Sequence, residues 1–358
     1  MWQPKIVAAQ AFSAGHFAVA YADLEPDDPF SAILEYDDAF PQPWSRTDVA
    51  RDIVAIAAAP PHASWRFAAA SDEGDVYLIG EGEPVHEKIV GAGVASLDAT
   101  GAGAILALAT IDDTLYAAGQ SAQLYRRQGA GRWDRIDVVV GAEAGFKPTT
   151  FRRIAGRSAS DIYLLGVAAR DTPGMDDATQ QKLTEENDWG ALAEVYEKLA
   201  SEGDAAFVDE GRVHHFDGKA WRRLAIPTAA VLNDAAVTAS GLRLVGSNGA
   251  ILDGDAARGF RSVGPKTNDT FLSIAALGRD DVLASDYALH VFDGRTLTPL
   301  KPRLRRAPPN PLKVQAFEST LVYFDVKQGV HRFDSSTWTK IDIPPELLQR
   351  SFKGLKRP

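Results

Sequence analysis

Short stretches of about six residues, in which apolar and polar side chains alternate or small apolar residues run together, recur along most of the chain. Examples are "DIYLLG" at 161–166, "TLYAAG" at 114–119 and "GLRLVG" at 241–246. Glycine, aspartate, asparagine and serine separate these stretches, which is typical of β-strands joined by tight turns. The pattern predicts an all-β protein.

A longer motif, "VHHFDGKAWRRLAIP" at 213–227, is repeated along the chain. Its clearest copies are "VHRFDSSTWTKIDIP" at 330–344 and "LHVFDGRTLTPLKP" at 289–302, and weaker copies begin at positions 33, 76, 124 and 251. With the position of Asp217 as a marker, successive copies lie 38 to 48 residues apart, except for one gap of 89 residues. A repeat of roughly 40–50 residues is typical of a four-stranded propeller blade, and the long gap predicts an insertion.

Seven copies fill the chain from Lys5 to Pro344. One antiparallel meander cannot bury both of its faces, so neighbouring meanders must stack, and radial closure protects their edges. We therefore predict an all-β fold: a single seven-bladed β-propeller, residues 1–344, with four-stranded antiparallel blades and a polar C-terminal tail at 345–358. The repeat pattern does not show how the first and last blades join. The predicted blades are residues 5–49, 50–92, 102–140, 149–227, 229–265, 270–304 and 311–344.

The repeated columns resemble a known class of repeats. The pattern D-[VI]-Y-x-x-G, followed by F-D-G-x-x-W, is similar to the divergent propeller repeats of many bacterial proteins, related in architecture to kelch and WD40 domains. The paired glycines of kelch blades and the Gly-His and Trp-Asp pairs of WD40 blades are absent. The resemblance covers nearly the whole chain and implies the fold without specifying a function.

One segment, 167–212, departs from the β pattern and interrupts blade 4. Asp188 fits a helix N-cap, and Gly203 fits a helix stop. The segment is therefore predicted to be a helical insertion. Four large apolar residues in it are spaced by three, four and three positions, as on one face of a helix: Trp189, Leu192, Tyr196 and Leu199.

The formal net charge of the chain is −10, and it is concentrated in this insertion. Residues 171–210 contain twelve acidic and two basic side chains, so the remainder of the chain is neutral. Loops after strands two and four of an antiparallel meander leave on the same side, so the insertion shares one face of the disc with the segments 23–30 and 301–311. We call this the insertion face. A chain with no basic surplus is not expected to bind nucleic acid generally.

The adjacent pair His214 and His215 is the first candidate for a metal site or a general base. Neighbouring residues of a strand point to opposite faces, so the two rings cannot share one metal ion. Other copies of the motif have leucine or tyrosine in place of His214, which predicts a packing role. Four tryptophans share a column at the start of the fourth strand and are predicted to pack between blades: Trp44, Trp133, Trp221 and Trp338.

Three carboxylates near the starts of innermost strands, Asp52, Asp234 and Asp269, are the candidates for channel chemistry. Oxygen ligands of this kind suit a divalent cation, and they keep a propeller hydrolase or lyase open as an alternative function. Asparagine–aspartate pairs at strand starts are more often turn formers. The absence of cysteine excludes a thiolate metal site and a cysteine nucleophile.

No stretch approaches the ~20 apolar residues that a membrane-spanning helix needs. The N-terminal stretch "MWQPKIVAAQAFSAG" is a poor match to a signal peptide, because its apolar segment is short and broken by Gln10. The sequence therefore predicts a cytoplasmic protein with no membrane partner.

The leading hypothesis is a non-enzymatic propeller that binds a basic protein through the insertion face, with no cofactor, metal or catalytic residue. Carboxylates would accelerate the encounter, and aromatic side chains would anchor the complex. The most concrete version is an immunity protein, a monomer when free, that neutralises a secreted bacterial toxin; a scaffold or small-ligand sensor is a further alternative. The predicted contact residues are Asp176, Asp177, Glu185, Glu186, Asp188, Trp189, Tyr196 and Glu197.

Overall fold

The protein is a seven-bladed β-propeller, as predicted. The computed structural model describes residues 4–23, 29–138, 145–169, 190–191, 209–238, 241–302, 309–334 and 336–350. These residues form seven four-stranded antiparallel sheets, and each sheet consists of four strands that are consecutive in the chain. Each sheet is one blade.

The first three blades contain twelve strands. Blade 1 consists of β1 (Lys5–Ala11), β2 (His16–Ala22), β3 (Ser31–Asp37) and β4 (Trp44–Val49). Blade 2 consists of β5 (Ile53–Ala58), β6 (Trp65–Ser71), β7 (Asp75–Gly80) and β8 (Val85–Lys88). Blade 3 consists of β9 (Ile105–Ile111), β10 (Thr114–Gly119), β11 (Leu124–Gly129) and β12 (Arg132–Arg135).

The remaining four blades follow in the same order. Blade 4 consists of β13 (Thr150–Ser158), β14 (Asp161–Ala168), β15 (Glu210–Phe216) and β16 (Trp221–Leu224). Blade 5 consists of β17 (Leu232–Thr238), β18 (Gly241–Gly246), β19 (Ile251–Asp255) and β20 (Gly259–Ser262). Blade 6 consists of β21 (Phe271–Leu277), β22 (Asp280–Ser285), β23 (Leu289–Phe292) and β24 (Leu297–Leu300). Blade 7 consists of β25 (Pro311–Phe317), β26 (Thr320–Asp325), β27 (Gly329–Asp334) and β28 (Thr337–Ile341).

Two regions differ in detail from the sequence prediction. Strands β14 and β15 pair from Ile162 with Phe216 to Ala168 with Glu210, so the inserted segment begins at 169 and ends at 209. The predicted polar tail begins with a 3-10 helix, Pro345–Leu348, whose leucines pack against the core between blades 1 and 7. No helix in the described ranges is long and apolar enough to cross a bilayer.

Seven clusters of buried apolar side chains hold the blades together, and each cluster lies between two neighbouring blades. Near the axis the packed residues are small, such as Ala8 and Ala57, whereas the outer part of each interface accommodates rings. The four column tryptophans each enter the cluster shared with the preceding blade. Their predicted role between blades is confirmed.

The ring closes between blades 7 and 1 without a shared strand. Phe17 of blade 1 packs edge-on against Phe324 of blade 7, with ring centroids 5.8 Å apart. The backbone N–H of Ala11 donates to Oε1 of Gln315 over 2.7 Å, and the indole N–H of Trp44 donates to the carbonyl of Asp342 over 3.2 Å. Apolar packing and a few specific hydrogen bonds thus take the place of a strand exchange.

His214 and His215 lie on opposite faces of β15 and contact different partners. The His214 ring is buried and packs edge-on against Phe151, with centroids 5.3 Å apart. Nε2 of His215 lies 2.8 Å from Oδ1 of Asp161, and its ring packs on Tyr163. The pair is part of the blade core, as the repeat pattern predicts.

We predict that His214→Leu reduces the acid sensitivity of the fold. Burial lowers the pKa of His214 to about 4. Between pH ~6.5 and ~4 the unfolded chain therefore binds a proton that the folded chain does not, and stability falls as the pH falls through this window. Between pH 7 and pH 4 the free energy of unfolding of the wild type should fall by on the order of 2 kcal/mol more than that of the variant, as measured by urea unfolding. The exposed histidine variant His62→Leu is the control, and an unchanged pH slope in His214→Leu would contradict the assignment.

Candidate functional site

The first strand of every blade contains a β-bulge near its start, where one residue is skipped in the pairing with the second strand. A bulge redirects a side chain and commonly occurs at barrel rims and next to functional sites. Since the start of each first strand lies at the insertion face, the bulges surround this end of the central channel. All seven skipped residues line it: Val7, Val54, Leu106, Arg152, Asn233, Leu272 and Leu312.

The channel is chemically asymmetric. It encloses a cavity of about 170 Å³. Blades 1, 2 and 3 contribute only apolar residues to its wall, such as Val7, Val54 and Leu106. Blades 4 to 7 contribute the polar residues Arg152, Arg153, Asn233, Asp234, Ser273 and Lys313.

Asp234 ties three blades together. Asp234 is only 4% exposed, and its Oδ1 lies 2.8 Å from Nε of Arg153 in blade 4. Oδ2 accepts from the hydroxyl of Ser273 over 2.8 Å and from the backbone N–H of Ile274 over 3.0 Å. The N–H of Ala235 donates to Oδ1, so both carboxylate oxygens are occupied by protein groups. This arrangement is that of a structural carboxylate rather than of a metal ligand or general base.

The other two candidate carboxylates do not join Asp234. Asp52 lies outside the channel wall; burial raises its pKa, while a hydrogen bond from the backbone of Phe30 opposes the shift. Oδ2 of Asp269 accepts from the hydroxyl of Thr267 over 2.8 Å. In the described part of the chain no three histidine, aspartate or glutamate side chains are placed to hold a metal ion. The described geometry thus does not assemble the carboxylate site that the hydrolase alternative requires.

Lys313 is the cationic group of blade 7 in the channel. Its ammonium donates to the carbonyl of Ala9 over 3.0 Å and to Oε1 of Gln10 over 2.7 Å, both neutral oxygens of blade 1. Burial and the neighbouring charge of Arg153 lower the pKa of Lys313 to about 7, and Asp234 opposes this shift. No carboxylate within the described ranges forms an ion pair with it.

The channel continues into a groove of about 750 Å³ on the insertion face, between blades 3 and 4. Leu106 and Arg152 line both the groove and the channel. One side of the groove is formed by Ala169 and Asp209, at the two ends of the insertion, together with Val167 of β14. The insertion therefore leaves the propeller beside the mouth of the channel.

The return of the chain from the insertion is firmly anchored. Arg212 is 2% exposed, and its guanidinium lies 4.5 Å from the ring centroid of Phe146. Nη2 of Arg212 lies 2.9 Å from Oε2 of Glu210, and Oε1 of the same carboxylate lies 3.3 Å from Arg223. Ion pairs within blade 4 thus fix the position at which the chain returns from the insertion.

The eight predicted contact residues lie outside the described residues, as do residues 303–308 of the basic link after blade 6. Within the insertion the structure describes only Gly190 and Ala191 between its two ends. These two residues are too few to support the predicted helix. The sequence therefore remains the basis for the eight positions: Asp176, Asp177, Glu185, Glu186, Asp188, Trp189, Tyr196 and Glu197.

Exposed apolar side chains on the insertion face are a feature that sequence reasoning missed. The connection 89–104, which follows the fourth strand of blade 2, exposes Val94 and Leu97, the latter fully. Tyr287 is 75% exposed in the connection between β22 and β23. Connections of these two types leave a blade on the same side as the insertion. The glycines of the stretch 91–103 indicate a connection rich in turns, but the exposed residues Val94 and Leu97 follow no periodic pattern in the sequence.

The half-buried carboxylate of Glu73 holds the 89–104 connection in place. Glu73 accepts hydrogen bonds from the backbone N–H groups of Val94, Ala95 and Ser96, and from the Ser96 hydroxyl. Burial acts to raise the pKa of Glu73, but these hydrogen bonds outweigh it and hold the pKa below its usual value. Val94 and Leu97 are therefore presented by a structured loop.

Comparison with known proteins shows the fold and nothing finer. No protein-family model matches the chain, and no curated protein matches it. Among solved structures, PorZ, a surface component of the type-IX secretion system of Porphyromonas gingivalis, superposes with a TM-score of 0.60 at 12% identity. That match covers 90% of this chain but only 46% of PorZ.

Two further structures match over nearly their full length. The WD40 β-propeller domain of Doa1 has a TM-score of 0.58 at 10% identity, with 95% of each chain covered. YCF48, solved with a bound D1 peptide, has a TM-score of 0.55 at 13% identity, with 92% of this chain and 93% of YCF48 covered. The chain thus shares the β-propeller fold of these structures.

We predict that Asp234 and Arg153 are energetically coupled as a structural pair. Asp234→Ala should destabilise the protein by roughly 3–5 kcal/mol, because it leaves a cation and a backbone N–H without an acceptor. In a double-mutant cycle with Arg153→Met, the coupling should be on the order of 1–3 kcal/mol by urea unfolding. The exposed pair of Asp255 and Arg258 serves as the control and should give less than about 1 kcal/mol. A coupling near zero for the channel pair would show that the two residues act separately.

Proposed function

We propose that this protein is a non-enzymatic propeller that captures another protein on its insertion face. The observation that carries the proposal is that three independent features meet on this one face: the acidic insertion, the apolar side chains of Val94, Leu97 and Tyr287, and the groove at the channel mouth. Single exposed apolar residues are ordinary. Their presence beside a segment that carries net charge −10 is typical of an interface that combines apolar anchors with charge.

The partner that fits this face is a basic protein. Residues 171–210 hold the entire formal net charge of the chain, and a concentrated charge accelerates association with an oppositely charged partner. The affinity would come from the apolar anchors, Trp189 and Tyr196 of the insertion together with Leu97 and Tyr287. The YCF48 structure supports the general idea, since that propeller was solved with a bound peptide.

The most specific form of the proposal is an immunity protein that neutralises a secreted bacterial toxin, such as a basic nuclease. An acidic surface that covers a basic active-site region would block binding of nucleic acid to the toxin. Location in the cytoplasm, as a monomer before capture, is part of this proposal, because neutralisation is needed where the toxin is made. The hydrolase or lyase alternative has no specific observation in its favour.

We predict that replacing residues 171–208 by a short Gly/Ser linker leaves the propeller folded and abolishes capture. Asp209 and Glu210 are retained because Glu210 begins β15 and pairs with Arg212. The partner is first identified by affinity capture and mass spectrometry from the producing cells and then purified, and binding is measured by calorimetry. Wild type should bind a partner of basic isoelectric point with an on-rate that falls as salt is raised. Undiminished binding by the folded deletion variant would refute the insertion as the contact surface.

A second set of variants tests the apolar anchors. Leu97→Ser with Tyr287→Ser should weaken binding of the same purified partner by about tenfold or more, as expected for anchor residues. Phe40→Ser is the matched control, because Phe40 is 62% exposed in the turn between β3 and β4 on the opposite face. Equal losses from both variants would show that these residues affect the fold and not the interface.

A further inference from the structure

We propose that the channel mouth is a binding site for a small carboxylate with an apolar body. The carboxylate would lie between Arg152 and Lys313, and the apolar body would lie against the wall formed by blades 1 to 3. The site adjoins the surface proposed for protein capture, because Arg152 and Leu106 also line the groove, but its residues belong to the first strands of the blades and not to the insertion.

The charges of the channel favour an anion. Four charged side chains line the cavity, and the single carboxylate, Asp234, is engaged by Arg153, Ser273 and Ile274. Lys313 donates to two neutral oxygens, which leaves one of its three N–H groups for another acceptor. Arg152 has no hydrogen-bond or ion-pair partner among the described residues. Arg152 is exposed and Lys313 is half-buried, so both cations line the cavity without a carboxylate partner among the described residues, and an anion between them could accept hydrogen bonds from both.

The size and the opposite wall define the rest of the ligand. A cavity of about 170 Å³ is slightly larger than one of ~150 Å³ that accommodates benzene. Its wall opposite the cations consists of Val7, Val54, Leu106 and neighbouring alanines and leucines, which offer no hydrogen bonds. Inorganic phosphate would satisfy the cations but leave this wall in contact with polar oxygen atoms. A carboxylate of roughly seven heavy atoms in all, with a short branched or ring-shaped hydrocarbon part, fits both the cationic and the apolar side of the cavity.

The ligand has a route to this site. Arg152 and Leu106 lie where the channel cavity meets the open groove of about 750 Å³. A carboxylate that enters the groove reaches Arg152 first and Lys313 deeper in the channel. Arginine is suited to this position because its planar guanidinium can bind a carboxylate through two parallel hydrogen bonds.

The test compares three probes by isothermal titration calorimetry on the full chain: 3-methylbutanoate, the uncharged isostere 3-methylbutanamide, and inorganic phosphate. We expect saturable one-to-one binding of 3-methylbutanoate, with much weaker binding of the amide and of phosphate. Arg152→Gln should weaken binding of 3-methylbutanoate by about tenfold, the cost of one charged hydrogen-bonding partner. Arg152 is exposed and makes no contact that the fold needs among the described residues, so this variant should keep the wild-type melting temperature.

Two control variants show whether binding depends on the channel mouth itself. Arg132→Gln removes an exposed arginine from the hairpin of blade 3 on the opposite face and should bind like wild type. The variant with residues 171–208 replaced should also retain binding, which distinguishes failure of this site from failure of the protein-capture surface. Equal binding of the carboxylate and its amide, equal binding by wild type and Arg152→Gln, or no binding of 3-methylbutanoate would overturn the proposal.

Discussion

Packing between neighbouring blades is the interaction on which the rest of this molecule depends. One meander of four strands has two apolar faces and no partner of its own, so each blade is stable only when it is enclosed by two others. Because the space between radial blades widens outward, small residues such as Ala8 and Ala57 fit near the axis, while Trp44 and Phe324 fit farther out. The same rule applies at the junction of blades 7 and 1, where Phe17 meets Phe324 without any exchange of strands.

With the scaffold fixed in this way, the channel wall is open to chemical variation. The bulge at the start of every first strand sets one residue of each blade at the insertion-face end of the channel, where its side chain lines the cavity. Blades 1 to 3 use this position for Val7, Val54 and Leu106, whereas blades 4 and 5 use it for Arg152 and Asn233. Repetition of the backbone thus coexists with an asymmetric site.

The sequence alone predicted the features that repeat and missed those that depend on distant contacts. Strand alternation and the repeat spacing were enough for the seven blades, and comparison of copies correctly placed His214 in the core. The structural role of Asp234 could not be predicted from the sequence, because its four hydrogen-bonding and ionic partners lie on three different blades, which no local pattern reveals. The apolar tip at Val94 and Leu97 was missed because it occurs once, and the predicted contacts of the insertion rest on sequence pattern alone.

The closure of the ring also has a consequence for how the chain is made. Blades 1 to 6 each complete their sheet from consecutive residues, so they can form in order as the polypeptide leaves the ribosome. The partners of Phe17 and Ala11, however, are Phe324 and Gln315, which are synthesised some three hundred residues later. Throughout that interval one apolar side of blade 1 stays exposed to solvent and to other nascent chains. The cluster between blades 1 and 7 is therefore the last part of the core that can be buried during translation.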